Sequence, residues 1–300
     1  MLNNNINFGF VILHYNAIEM TKKCVETLIE TFPMDNNYIV IVDNASKNNT
    51  GTELENLYKN NSYIKVILSQ ENLGFAKGNN LGYCWLKNNY ECNFIIIMNN
   101  DLLINQKTFL SIVNSIYNET QFAVLGPDIY CPAYKAHQNP LFEKAMTQDE
   151  LLKRIEIVKK FAKNINYFFF REFTHKVKLI LLKLLRYNKN KNSIESYKTP
   201  KENWALHGSI YILSKNFIKN RLYAFNPETY MYCEEEILHY ECLRDGLKMF
   251  YSPLLHCTHL QKVSSMTIFK NNKERMKFQK INQINSLNVL LKIMSNQPSN

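Results

Sequence analysis

Over its first 127 residues the chain alternates short apolar runs with amphipathic stretches, and this constrains the fold more than any other feature. FGFVILH (8–14), YIVIVD (38–43), YIKVILS (63–69), FIIIM (94–98) and FAVLG (122–126) read as strands. Between them, 17–32, 46–60, 74–89 and 106–118 read as helices, the first placing Met20, Cys24, Leu28 and Ile29 at helical spacing. Strands separated by helices of this length build βαβ units and a mostly parallel sheet. In such sheets ligands bind beyond the carboxyl ends of the strands. Those ends read HYN (14–16), DNAS (43–46), SQENLG (69–74) and NND (99–101). One polar strand end is an ordinary loop; four on one rim point to a ligand crevice.

The regular pattern then breaks. Residues 145–191 read as two helices, 148–164 and 171–187. The second is apolar at Val177, Leu181, Leu184 and Leu185, with His175, Lys176, Lys183 and Arg186 opposite and Lys178 out of pattern. A strand at 207–214, a helix at 234–245 and a strand at 247–252 follow.

Charge is concentrated in that interruption. Residues 153–191 hold twelve Lys or Arg against Glu156 and Glu172, which accounts for the whole net charge of +10. The protein is otherwise neutral, with one basic segment. With 46% hydrophobic residues in 300, the chain can bury one α/β domain with an elaboration. The seven cysteines form no CxxC pair and no zinc-like spacing, which fits free thiols in a reducing compartment. No charged and apolar leader is visible, and no apolar run reaches the roughly 18 residues of a membrane span. The expected location is cytoplasmic.

Each motif has a local and a functional reading. Asp43 at a strand end can accept from a base imide or a ribose hydroxyl, or cap a helix. Gly74, Gly78 and Gly82 in ENLGFAKGNNLG allow backbone to approach a phosphate at a helix N-terminus, but this is neither GxGxxG nor a Walker loop. Asp101 in NND suits a hard cation, or a turn. Glu234, Glu235 and Glu236 can complement a helix dipole. Embedded among Met231, Tyr232, Cys233, Ile237 and Leu238, they can equally hold raised pKa values and serve as bases. His256 and His259 lie on a strand edge near the same rim, where a lone histidine is usually structural.

The ordered set VILHYN, VDNAS, NLGFAKGNN, IIMNND, HGS, MYCEEEILHYECLRDGLK and HLQKVSS resembles the GT-A fold, family 2 nucleotide-sugar glycosyltransferases. Within that family it resembles the bacterial rhamnosyltransferase-like branch. The resemblance covers about 7–140 and 203–268. It implies an α/β, Rossmann-like, mostly parallel sheet flanked by helices, with a helical basic insertion. The expected organisation is a nucleotide-sugar-binding half (1–140), the insertion (141–202), an acceptor and catalytic part of the same domain (203–270) and a helical tail (271–300).

The resemblance also implies roles. NND stands where the family has D-x-D, so Asp101 contacts a Mn2+ or Mg2+ ion and Asn99 replaces the first acid. His259, before Ser264 and Ser265, completes the metal site. Asp43 reads the base, Tyr15 and Asn16 line the nucleotide pocket, Asn72, Gly74 and Gly78 approach the diphosphate or ribose, and Asn100 joins this set. Glu235 takes the catalytic-base position, one residue after Glu234, with Leu238 and Gly246 at the family spacing. Trp204, His207, Gly208 and Ser209 match the region beside the donor sugar and acceptor. The implied reaction moves a sugar with inversion from a UDP- or dTDP-sugar, dTDP-rhamnose among the candidates, to a glycan or lipid-linked acceptor of bacterial surface polysaccharide (capsule, O-antigen). Rival readings are a sugar nucleotidyltransferase, whose Gly-rich basic N-terminal signature is missing, and a non-catalytic glycan-binding protein. For 153–191 the favoured reading is peripheral docking to an anionic membrane, over a solvated lid or dimer contact, with nucleic acid the least favoured partner.

Overall fold

The computed structural model describes residues 6–164, 196–261 and 271–296. The chain divides into two compact units, Met1–Ala145 with Tyr197–Ser264, and Met146–Ser196 with Ser265–Asn300.

The larger unit is built on one sheet. Strands β1 (Phe8–His14), β2 (Asn37–Asp43), β3 (Ile64–Leu68) and β4 (Phe94–Asn99) alternate with α1 (Ile18–Thr31), α2 (Thr50–Tyr58) and α3 (Gly74–Asn89). After β4 come β5 (Leu102–Leu103), α4 (Phe109–Thr120), β6 (Val124–Cys131) and β7 (Ala136–His137). After the smaller unit's first helix, α5 (Gln148–Lys163), the chain returns through β8 (Lys201–Glu202), β9 (Ile210–Ser214), α6 (Lys215–Asn220), α7 (Glu234–Arg244) and β10 (Met249–His259). Strand order is β3-β2-β1-β4-β9-β6-β10-β5, with β7 on β6 and β8 on β10. The long ladders from β3 to β4 and between β6 and β10 are parallel, while β9 is antiparallel to both its neighbours.

Alternate strand residues face opposite ways, so near-continuous apolar strands bury both faces. Phe10, Ile12, Ile39, Ile41, Ile96 and Met98 pack on one side with Val25, Leu28 and Leu54 of α1 and α2 and Phe109 and Val113 of α4. Val11, Val40, Val42, Ile95 and Ile97 pack on the other with Tyr83 and Leu86 of α3, Phe217 of α6 and Leu238 of α7. Glycines make the second packing possible. A side chain at Gly78 would meet Leu13 at 2.7 Å and one at Gly82 would meet Val11 at 2.5 Å.

Two strands outrun their sequence expectation. β6 continues past Gly126 and Pro127 to Cys131, and β10 past Pro253 to His259. Proline removes a donor and interrupts the apolar pattern. The parallel pairing resumes after a register shift between Ser252 and His256. This extension, with β5 paired antiparallel to it, carries Asp128 and His259 to the sheet's carboxyl rim.

In the smaller unit, α5 starts with a Thr147–Glu150 capping box. It packs with α8 (Asn272–Ser295), where the Lys280 ammonium lies 5.2 Å from the Phe161 ring centre. The expected helix at 171–187 lies outside the described residues. All seven cysteines are free, and no helix among the described residues is long and apolar enough to cross a membrane.

Candidate active site

Asp101 follows β4, and its main chain is fixed by the strand beside it. Leu260 N donates to Asp101 O at 2.9 Å, and His259 pairs with Leu102 in the β10–β5 register. This draws Asp101 Oδ1 to 3.2 Å from His259 Nε2, with both residues buried. His259 Nδ1 lies 2.7 Å from Gln138 Oε1. With Nδ1–H donating to that oxygen, Nε2 presents a bare lone pair to a carboxylate. Such a pair calls for a positive species, either a proton on the ring or a cation held by both. Adjacent ligands of an octahedral ion with ~2.1 Å bonds are themselves about 3 Å apart, so the spacing fits a shared divalent cation. With an ion bound there, Gln138 would be the partner that holds the other ring nitrogen, as metal-bound histidines normally require. Among the described residues no group of three or more His, Cys, Asp or Glu could hold a metal. The remaining coordination would come from substrate oxygens and water.

Residues 207–209 form a turn beside this pair. Asn139 Oδ1 accepts from His207 N at 2.8 Å, and Ser209 O accepts from Asn99 N at 2.8 Å. The His207 ring meets the His259 ring edge-on, with centres 5.9 Å apart and planes at 68°. Burial and the neighbouring His259 hold the His207 pKa down to about 4. Gly208 is needed for a different reason. A Cβ there would come within 2.6 Å of Glu235 Oε1. The HGS turn therefore touches the metal-type pair through His207 and the acid triplet through Gly208.

The triplet opens α7 after an unusual approach. Tyr232 and Cys233 both have left-handed backbone, with φ of 73° and 66°. Two consecutive non-glycine residues in that region store strain, as at many functional sites. The three acids then have different fates. Glu234 is buried, its Oε1 has no hydrogen-bond partner among the described residues, and burial with the neighbouring Glu235 charge raises its pKa to about 8. Glu235 and Glu236 are half-buried.

On the nucleotide side, several expected residues serve the scaffold. The Asp43 carboxylate is buried and accepts from the Ser46 amide at 3.2 Å and from the Ser46 hydroxyl. Asn16, at φ 58°, joins two strand-end loops: its N donates to Ser46 Oγ at 2.8 Å and its Oδ1 accepts from Lys47 N at 3.0 Å. Tyr15 beside it is half-buried. Asn100 turns inward and donates to Thr21 Oγ1 at 2.9 Å. Gly74 has φ 75°, and a Cβ there would collide with the Tyr230 carbonyl. Asn72 Oδ1 accepts from Gly74 N and from Tyr230 OH, each at 3.0 Å. Gly78 has a packing reason in Leu13 that involves no phosphate. Trp204 is half-buried, with the Lys201 ammonium 5.4 Å from its ring centre.

Four supporting residues escaped the sequence reading. Asn44 gathers the glycine loop, donating to Gly74 O at 3.0 Å and accepting from Leu73 N at 2.8 Å. Asn139 and Gln138 hold His207 and His259. His14 lies beneath the rim with Nδ1 2.7 Å from Thr21 Oγ1 and Nε2 2.9 Å from Thr50 Oγ1. A polar residue ending the apolar run FVILH was its only signal. Burial lowers the His14 pKa to about 4, despite Asp43 nearby. Because the folded state disfavours the charged ring, this stability is full above pH ~6.5 and is lost as pH falls toward 4. His14→Gln should flatten the urea-unfolding midpoint between pH 6.5 and 4.5; an unchanged slope would place the acid sensitivity elsewhere.

The family described as Glycosyl transferase family 2 matches residues 10–178. S. aureus TarS 1-349 in complex with UDP-GlcNAc superposes with a TM-score of 0.55 at 14% identity, over 97% of this chain and 72% of that one. Another structure of S. aureus TarS 1-349 gives 0.53 at 14% identity, over 85% of this chain and 60% of that one. This chain therefore spans only part of its structural neighbours. GalNAc-T7 with UDP, GalNAc and Mn2+ gives 0.56 at 14% identity, over 87% and 45%. No curated protein sequence matches. Those likenesses agree in fold with the sheet and helices described above, and the family match spans more than half of the sequence: the chain belongs to glycosyl transferase family 2.

Proposed function

We propose that the protein transfers a sugar from a nucleoside diphosphate to an acceptor hydroxyl with inversion, using Glu235 as general base. The observation that carries this reading is the HGS turn, which brings the Glu235 carboxyl and the Asp101–His259 pair against one short segment. A base and a cation site this close serve group transfer; a binding protein needs neither.

Glu235 would accept the acceptor proton as attack begins, an effect of about 10²–10⁴-fold for a positioned base. Glu234 keeps its proton near neutral pH and is shut into the core, so the half-buried carboxyl beside it is the one an acceptor can reach. With one base and inversion, no covalent sugar–enzyme intermediate is required. A divalent cation held by Asp101 and His259 would act as a Lewis acid on the departing diphosphate. The imidazole ligand leans toward Mn2+ over Mg2+.

UDP- and dTDP-sugars, dTDP-rhamnose included, are the donor candidates, and a glycan or lipid-linked hydroxyl of bacterial surface polysaccharide is the acceptor. The TarS complex with UDP-GlcNAc supports a uridine donor by fold analogy. Docking to an anionic membrane is part of the proposal. On α5 the exposed Leu152 and Ile157 lie among exposed Lys153, Lys159, Lys160 and Lys163, with Glu156 the one acid among them, a mainly basic face with apolar residues suited to a lipid surface.

The deciding assay incubates the protein with Mn2+ and a panel of UDP- and dTDP-sugars, with and without glycan acceptors. Nucleoside diphosphate release that rises with acceptor supports transfer. Pyrophosphate formation from a nucleoside triphosphate and a sugar phosphate would make it a nucleotidyltransferase. Binding without release would make it a glycan-binding protein. Liposome co-sedimentation checks the membrane contact, which equal binding to neutral and anionic vesicles would remove.

A further inference from the structure

Asn99 leaves the NND turn with one carboxylate, Asp101, near where the charge of a leaving diphosphate would develop. Its neighbour across the sheet is the HGS turn. The backbone amide of Ser209 donates to His207 Nδ1 at 3.2 Å, and the Ser209 hydroxyl lies 2.9 Å from the same nitrogen. A main-chain N–H can only donate, so Nδ1 is an acceptor and the ring proton sits on Nε2. Nε2 has no protein partner among the described residues, and the ring stands edge-on to His259 with centres 5.9 Å apart. His207 is thus fixed in the tautomer that cannot ligate a metal through Nε2. It offers instead a hydrogen-bond donor beside the metal-type pair.

We propose that His207 is a catalytic residue whose Nε2–H donates to the leaving diphosphate, beside the Asp101–His259 pair. The proposal rests on the nucleotide-sugar reading above. It assigns a division of labour. Asp101 and His259 carry the cation, while His207 adds a donor without adding positive charge that would repel it. The ring is clamped before any ligand arrives, by Asn139 Oδ1 on its own amide and by Ser209 on Nδ1. Preorganised donors of this kind gain most where charge develops, and removing one typically costs about 10²–10³-fold in turnover. A donor to an anionic phosphate oxygen is also among the stronger hydrogen bonds.

The test compares His207→Phe with His207→Gln, whose amide can replace the Nε2 donor. The probes are UDP against UMP and dTDP against dTMP with Mn2+, then Mn2+ alone. Phe at 207 should lose about 10²-fold in turnover and about tenfold in diphosphate-over-monophosphate preference, with monophosphate affinity and melting temperature unchanged. Gln at 207 should recover most of both. Equal preference in wild type and both variants would overturn the assignment. Weaker Mn2+ binding without nucleotide in both variants would overturn it in favour of a metal ligand. Lost monophosphate affinity in both would make the residue structural and overturn it likewise. A wild-type protein that ignores every nucleotide would instead bring down the nucleotide-sugar reading itself, and this proposal with it.

Discussion

Glu235→Gln is expected to abolish sugar transfer, with kcat down by about 10²–10⁴-fold and UDP or dTDP affinity within about twofold of wild type. The reason is local. Glutamine keeps the shape that packs against Gly208 and loses only the capacity to take a proton. A binding defect would therefore not explain the loss. Isothermal titration beside a transfer assay separates the two effects. Near-normal turnover would move the base to Glu234 or Glu236. Of these, Glu234 is the weaker candidate, being buried and protonated up to about pH 8. Gly208→Ala provides a second handle on the same carboxyl. A methyl group there displaces Glu235 Oε1, and a drop in kcat with unchanged nucleotide affinity is the expected signature.

The parallel half of the fold was legible because its strands are apolar throughout and its helices periodic. β1 to β4 and α1 to α4 all appear within a few residues of their expected bounds. The strands beyond the rim were not. β5, β7 and β8 are two residues each, too short to carry a period, and the pairing of β5 and β8 depends on β10, far along the chain. The Pro127 and Pro253 interruptions concealed the length of β6 and β10. The same physics governs the site. Asp101, His259, Gly208 and Glu235 are chemistry-bearing types in ordered motifs, and the fold brings them against one turn. Asn44, Gln138, Asn139 and His14 are ordinary polar residues whose importance arises from hydrogen bonds across 29, 121, 68 and 36 positions of sequence. No window of local sequence contains such a relation.

Asp101→Ala should remove the Mn2+-dependent part of nucleoside diphosphate binding. Outer-shell substitutions at metal sites cost about 10–100-fold in affinity, so if Asp101 holds the ion as proposed, removing its carboxylate should cost at least the upper end of that range. His259→Ala should follow it. Gln138→Ala should fall within the outer-shell range, since it frees the imidazole to turn without deleting a ligand. Titration of Mn2+ in the presence of UDP measures all three, and a wild-type protein whose transfer is indifferent to chelators would sink the metal assignment. The informative variant runs the other way. Asn99→Asp restores a second acid two residues before Asp101. If one missing carboxylate is what limits the site, this change should tighten Mn2+ by about tenfold or more. Unaltered affinity would mean that residue 99 does not face the cation, leaving the site to Asp101, His259 and the substrate's own phosphate oxygens.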